Sequence, residues 1–249
     1  MAAKFDYALR LGDNALVLGQ RLAEWLGHAP VLEEDIASAN ISLDLIGQSR
    51  LWLTYAGAVE GAGRDEDNLA YHRDQHEFRN FTMLELPNHD YAFTIVRRCL
   101  FDAWHCLALA ELSGSKDADI AAIAAKSRKE ADYHRRHSAD WLVRLGDGTH
   151  ESHARTQAAL EMLWRYCAEF FAADAIDQAM VASGEGFDPA RLREAWTEEV
   201  NTMLAEATLS VPKPDGYLSQ GKAGRHSEHL GHLLAEMQVL QRAHPGASW

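Results

Sequence analysis

Apolar residues recur every three or four positions along most of the chain, the spacing that lines one face of an α-helix. That pattern predicts helices over roughly 5–26, 31–58, 68–84, 90–113, 117–145, 150–183, 188–208 and 226–243. The breaks fall where the chemistry disfavours a helix. Gly27-His28-Ala29-Pro30 stops one helix and restarts another, and Asp188-Pro189 reads as an N-cap followed by proline at the first helical position. No segment alternates β-branched and polar residues between turn signals, so the predicted class is all-α.

Four of these stretches set one hydrogen-bonding or charged residue inside an apolar stripe. Tyr7, Leu11, Leu18, Leu22 and Trp25 flank Asn14, while Ala37, Ile41, Gln48 and Leu51 flank Asp44. Ile95, Cys99, Cys106 and Leu109 flank Asp102, and Ser127, Ala131, Ser138 and Trp141 flank His134. An ionised carboxylate buried alone is costly, so Asp44 and Asp102 require a cation, a proton, a donor or water. The stretch over 31–58 carries a further stripe of Leu32, Ile36, Ala39, Leu43, Ile46 and Leu53. A helix apolar on two faces is expected at the centre of a bundle.

Asn14 and Asp44 are 30 positions apart and Asp102 and Ala131 are 29 apart, so two helical hairpins each set a residue of one helix opposite a residue of its partner. In a di-iron four-helix bundle, one helix of each hairpin supplies a Glu and the other a Glu-x-x-His pair. Here those positions read Asn14, Asp44, Gly47, Asp102, Ala131 and His134. Glycine and alanine have no donor atom, and aspartate is one methylene shorter than glutamate. The positions describe a lost di-iron site, and neither a metal nor a catalytic residue is expected in this chain. A buried network through Asp44, Asp102, His134 and Arg50 is the expected replacement. The alternative is a free-standing enzyme with a mononuclear or unusual metal site built from Asp44, Asp102, Glu130 and His134.

Composition narrows the picture. The 249 residues, 47% of them hydrophobic and 24% charged, suit one domain over 1–249 with a substantial core. A formal net charge of -13 repels phosphate backbones and anionic membranes, so neither is an expected partner. Cys99, Cys106 and Cys167 form no CxxC pair, and no signal peptide or membrane span is read, which points to the cytoplasm. The spaced pairs His72/His76, His134/His137, His150/His153 and His226/His229 are the coincidences that 13 histidines in helices produce. Gly216 to Ala223 approaches a phosphate-binding loop, but Ala223 replaces the needed hydroxyl and no strand precedes it. The Pro- and Gly-rich stretch from Ser210 to Arg225 is expected as a long loop at the surface or an interface. Arg128-Lys129 and Arg135-Arg136 read as a solvated basic strip, and no G-x-S-x-G nucleophile motif is present.

Several segments together carry a family resemblance over nearly the whole chain. They are Leu9-Arg-Leu-Gly-Asp-Asn14, Leu43-Asp-Leu-Ile-Gly-Gln48, Asp102-Ala-Trp-His105, Lys129-Glu-Ala-Asp-Tyr-His134, Glu206-Ala-Thr-Leu209, His226-Ser-Glu-His-Leu-Gly231 and Ala235 to Arg242. With these, the chain resembles the PaaC family, the structural, non-catalytic, ferritin-like subunits of the bacterial phenylacetyl-CoA epoxidase (ring 1,2-monooxygenase) complex. The resemblance implies a ferritin-like four-helix bundle core with additional peripheral helices. It implies pairing with a homologous catalytic di-iron subunit, further small and reductase subunits, and a homodimer when the chain is isolated. Iron, NADPH, flavin and an iron–sulfur cluster would then belong to those partner subunits, with no cofactor in this chain. His226, Glu228 and His229 are candidate interface residues, and Trp52, Trp164 and Trp249 are candidates by residue type.

Overall fold

Helices form where the apolar periodicity is sustained and end where acidic or hydroxyl side chains capture backbone N–H groups. The computed structural model describes residues 2–247. In chain order the helices are α1 (Ala2–Glu24), α2 (Leu32–Glu60), α3 (Glu66–Tyr71), α4 (Thr82–Glu85), α5 (Tyr91–Leu112), α6 (Ala118–Gly146), α7 (His150–Trp164), α8 (Ala175–Ser183), α9 (Arg193–Glu206), α10 (Glu228–Met237) and α11 (Val239–Ala243). Asp65, Asp90, Asp117, Thr149 and Asp174 cap α3, α5, α6, α7 and α8 through their side-chain oxygens. No strand occurs among the described residues, only an isolated bridge between Gln220 and Arg225, so the all-α class is what the chain adopts. None of the described helices is long and apolar enough to cross a membrane. The chain divides into two compact units, Met1–Pro87 with Ser219–Trp249, and Asn88–Leu218.

In the first unit α1 and α2 form a close hairpin. A Cβ at Gly12 would come within 2.8 Å of Leu53 Cδ2, and one at Gly19 within 3.1 Å of Ile46 Cδ1, so glycine lets the two helices approach. Ser42 Oγ donates to the Gly19 carbonyl at 2.8 Å across the same seam. The single helix expected over 68–84 is replaced by α3, a 3₁₀ turn at Gln75–Glu77 and α4. Side chains of α1 explain the break: Asp13 accepts the Arg79 N–H at 2.8 Å and Asn14 accepts the Phe81 N–H at 2.7 Å, offering those amides an alternative to helix carbonyls. The C-terminal helix expected over 226–243 divides at Gln238, whose amide donates to the carbonyls of Ala70 and Arg73.

The second unit is organised on α5, which buries nearly every residue from Ala92 to Cys106. Helices α6, α7 and α9 pack on it. Trp104 Nε1 donates to the Phe170 carbonyl at 3.2 Å and Trp196 Nε1 donates to the Leu100 carbonyl at 3.0 Å, fixing an aromatic cluster with Phe170 and Phe171. The long helix expected over 150–183 becomes α7, a 3₁₀ run at Arg165–Phe171, and α8 restarted by the Asp174 cap. The tighter turn sets both Phe170 and Phe171 against Trp196, and that aromatic packing accounts for the departure from α geometry.

Candidate functional site

The six positions that the hairpin spacing reads as a lost ligand set fall three in each unit. On α1, Asn14 is 3% exposed and its Oδ1 is taken by the Phe81 amide. Its neighbour Asp13 is fully buried and forms a bidentate pair with Arg73, itself only 1% exposed. On α2, Asp44 is half-buried, and burial raises its carboxyl above the ordinary range. Gly47, one turn further on, is exposed. Arg50 takes no part in an interior network: it is 75% exposed and pairs with Glu66 at 3.0 Å.

In the second unit Asp102 lies on α5, buried at 3% exposure. Ser138 Oγ of α6 donates to its Oδ2 at 2.8 Å, and Arg98 Nη2, one turn earlier on α5, lies 3.6 Å away. Burial pushes the Asp102 carboxyl up to about 6, against the pull of Arg98 and Ser138. The guanidinium of Arg98 also donates to His137 Nδ1 at 3.2 Å and to the His134 carbonyl at 3.3 Å. Burial, and then the charge of His134, lowers His105 to about 3; burial, and then Arg98 and His137, lowers His134 to about 3. Both imidazoles are therefore neutral at pH 7. Ala131 is buried beside them with no donor atom, and Glu130 stays half-buried.

This donor set does not fit a di-iron centre. Among the described residues no three His, Cys, Asp or Glu side chains converge as a metal requires. Arg98 already supplies positive charge beside Asp102, where a ligand carboxylate would face metal. The i, i+4 spacing of Arg98 and Asp102 on one helix is the sequence signal for this pair, and a reading of the stripe for metal ligands passes over it because arginine is a counter-ion and not a ligand.

His226 points inward, its side chain 1% exposed. Its Nε2 lies 2.9 Å from the Phe78 carbonyl and its Nδ1 2.7 Å from Glu85 Oε2. A carbonyl can only accept, and Glu85 also accepts from Asn80 Nδ2 and the Ser227 N–H, so the partners assign an imidazolium on a carboxylate. Burial opposes that charge, but the Glu85 hydrogen bond and charge, with Phe78, outweigh it and raise the His226 pKa. Glu228 is exposed in the first turn of α10 and His229 is half-buried. Of the tryptophans, Trp52 is 1% exposed and so is core rather than surface, Trp164 stacks on Trp196 at 5.7 Å, and Trp249 lies outside the described residues. The second stripe of α2, expected as buried, is open over its first part, where Leu32 is 72%, Ile36 52% and Leu43 68% exposed, while Ile46 and Leu53 of the same stripe pack against Gly19 and Gly12 of α1. From Ser210 to Leu218 the loop is largely exposed, whereas Gly221–Ala223 forms a 3₁₀ turn with Gly221 and Lys222 buried.

The chain is similar to a subunit of the 1,2-phenylacetyl-CoA epoxidase of Escherichia coli strain K12, with 53% identity over 243 residues and 98% of each chain covered. The model of the phenylacetic acid catabolic protein family matches it over residues 1–249. A match over that whole span, joined to a relative aligned along nearly the full length of both chains, settles the lineage: the chain belongs to the phenylacetic acid catabolic protein family.

Proposed function

We infer that the chain is the structural, non-catalytic subunit of a phenylacetyl-CoA epoxidase, and that it pairs with and stabilises a homologous subunit that holds the di-iron centre. One observation carries the reading: Asp102, at a ligand position, is engaged by Ser138 and Arg98 of its own unit. Asn14 behaves likewise, holding the Phe81 amide rather than facing a metal. Family membership and the relative's printed name support the reaction, epoxidation of the ring of phenylacetyl-CoA in phenylacetate degradation. On this reading iron, NADPH, flavin and the iron–sulfur cluster reside in the catalytic and reductase subunits, and the complex works in the cytoplasm without nucleic acid or membrane.

Co-purification with and without the catalytic subunit tests it. The complex should form, with iron in proportion to the catalytic subunit alone. Asp102→Ala should destabilise this chain by about 1–3 kcal/mol, by removing the carboxylate that Arg98 and Ser138 engage, while the iron content of the complex stays unchanged. If the chain alone, loaded anaerobically with Fe(II), bound stoichiometric metal and turned over an aryl-CoA, the free-standing enzyme with Asp44, Asp102, Glu130 and His134 would replace this reading.

A further inference from the structure

A cavity of about 490 Å³ opens in the second unit between the 3₁₀ run at Arg165–Phe171, the first turns of α9 and the loop that ends at Leu218. Its walls are aromatic. Phe171 and Trp196 line it as buried residues, Trp164 is half-buried beside Trp196 at 5.7 Å, and Tyr217 is exposed on the loop. The loop is tied down at both ends of the wall it forms. Gln157 Oε1 accepts the Ser210 N–H at 2.9 Å and its Nε2 donates to the Ser210 carbonyl at 3.1 Å. Gly216, at a φ of 78°, turns the chain so that Tyr217 meets Tyr166 edge-on at 5.5 Å. A concave, aromatic space with few polar groups is the form that small-molecule sites take.

The charges around the cavity select its ligand. Two guanidinium groups and one carboxylate line it, so it carries one net positive charge in a chain whose formal charge is -13. Arg165 is committed: its Nε lies 3.1 Å from Asp215 Oδ2, and its guanidinium lies 4.3 Å from the centroid of the Tyr217 ring. Arg193 is not. Its guanidinium lies 4.8 Å from the centroid of Phe171, and no carboxylate pairs with it among the described residues. A guanidinium fork without a counter-ion receives a carboxylate by donating two parallel hydrogen bonds. Indole and phenyl walls favour a flat ring, which stacks on them or meets them edge to face. One uncommitted charge matches a monoanion rather than a phosphate ester with nearly two charges. Cys167 also lines the cavity, but burial pushes its thiol up, so it stays protonated and offers no nucleophile. The chemistry is that of binding alone.

We propose that this cavity binds a one- or two-ring aromatic carboxylate, with the ring against Trp164 and Trp196 and the carboxylate on Arg193. Such binding requires neither the catalytic subunit nor iron, so its failure would leave the function proposed above standing. Isothermal titration calorimetry of the full chain with 2-naphthoate at pH 7 tests it. One molecule should bind per chain, and Arg193→Ala should weaken binding about tenfold or more with unchanged helical circular dichroism, since Arg193 is exposed. Arg155→Ala, which removes an exposed arginine that does not line the cavity, should bind as the native chain does. Decahydro-2-naphthoate keeps the charge and size without the aromatic ring, and 2-naphthylmethanol keeps the ring without the charge. Each should bind about tenfold more weakly than 2-naphthoate. No saturable binding of 2-naphthoate, native affinity in Arg193→Ala, or equal affinity for either of the two analogues would overturn the proposal.

Discussion

The two units accommodate buried polar side chains by opposite means. The first keeps them charged and paired across long stretches of chain: Asp13 of α1 with Arg73, and Glu85 of α4 with His226. The second keeps His105 and His134 neutral and pairs the buried Asp102 locally, with Arg98 one turn away on the same helix. A distant pair specifies which segments must meet, and here it ties residues 72–81 and 226–227 to the α1 side of the first unit. A pair within one helix specifies by itself nothing about tertiary closure, which here falls to the neutral hydrogen bonds that Ser138 and the His134 carbonyl of α6 make to it. The first unit's polar interior therefore acts as a clasp, whereas in the second unit the buried Asp102 carboxylate is held by neighbours on α5 and α6.

The largest effect expected of this contrast is on stability. Arg73→Ala leaves Asp13 buried with only the Arg79 amide as its remaining donor, and should cost about 3–5 kcal/mol, the range for breaking a buried ion pair. Arg98→Ala should cost less, about 1–3 kcal/mol, because Asp102 is already held near a pKa of about 6 and takes up a proton readily when its counter-ion is gone. Urea denaturation at pH 7 measures both. If Arg98→Ala proves the more damaging, the distinction between a distant clasp and a local pair fails.

What the amino-acid pattern disclosed follows the same division. The helices that sustain an apolar period, α1, α2, α5, α6 and α9, lie close to their predicted spans. Local chemistry explains them, through Asp90, Asp117 and the Asp188-Pro189 step. The failures came where a distant side chain decided the local conformation: residues 72–81 leave the helix because Asp13 and Asn14 take their amides, and α10 ends where Gln238 turns to Ala70. Sequence periodicity does not report a partner some 60 positions away. The placement of Asn14, Asp44, Asp102 and His134 on long helices was legible from the apolar period. Their partners were not: Arg50 was the expected counter-ion, and Arg98 is the one beside Asp102. The α2 stripe was legible as apolar, but not as partly open to solvent, since periodicity cannot tell a core face from an open one.

A second expected effect, of intermediate size, is that acid and base attack different units. His105 and His134 have folded pKa values of about 3 against an ordinary 6.5, while Asp102 is at about 6 against 3.8. Between about pH 4 and 6 the unfolded chain gains protons on two histidines where the folded one gains a proton on one carboxylate. The unfolded state thus binds more protons, and stability should rise with pH across that window by up to about 1.4 kcal/mol per unit for the one net proton. His226 runs the other way. Its folded pKa is raised, so its contribution is complete below the ordinary 6.5 and is lost as pH rises through the folded value. Thermal unfolding across pH should therefore give a maximum with two limbs. In His226→Gln the alkaline limb should flatten and the acid limb should persist; a flattened acid limb instead would assign the groups to the wrong units.

The smallest effect is expected on the solvent side of α2, and it is informative because it is small. Leu43 and Leu45 are two residues apart on one helix, 68% and 1% exposed. Leu45→Ala removes buried side-chain atoms and should cost about 2–5 kcal/mol. Leu43→Ala removes atoms that already face water and should change folding stability by less than about 0.5 kcal/mol. Urea denaturation of the two variants beside the native chain measures the difference. A Leu43→Ala chain as damaged as Leu45→Ala would place Leu43 in the core and erase the contrast between the two faces of α2.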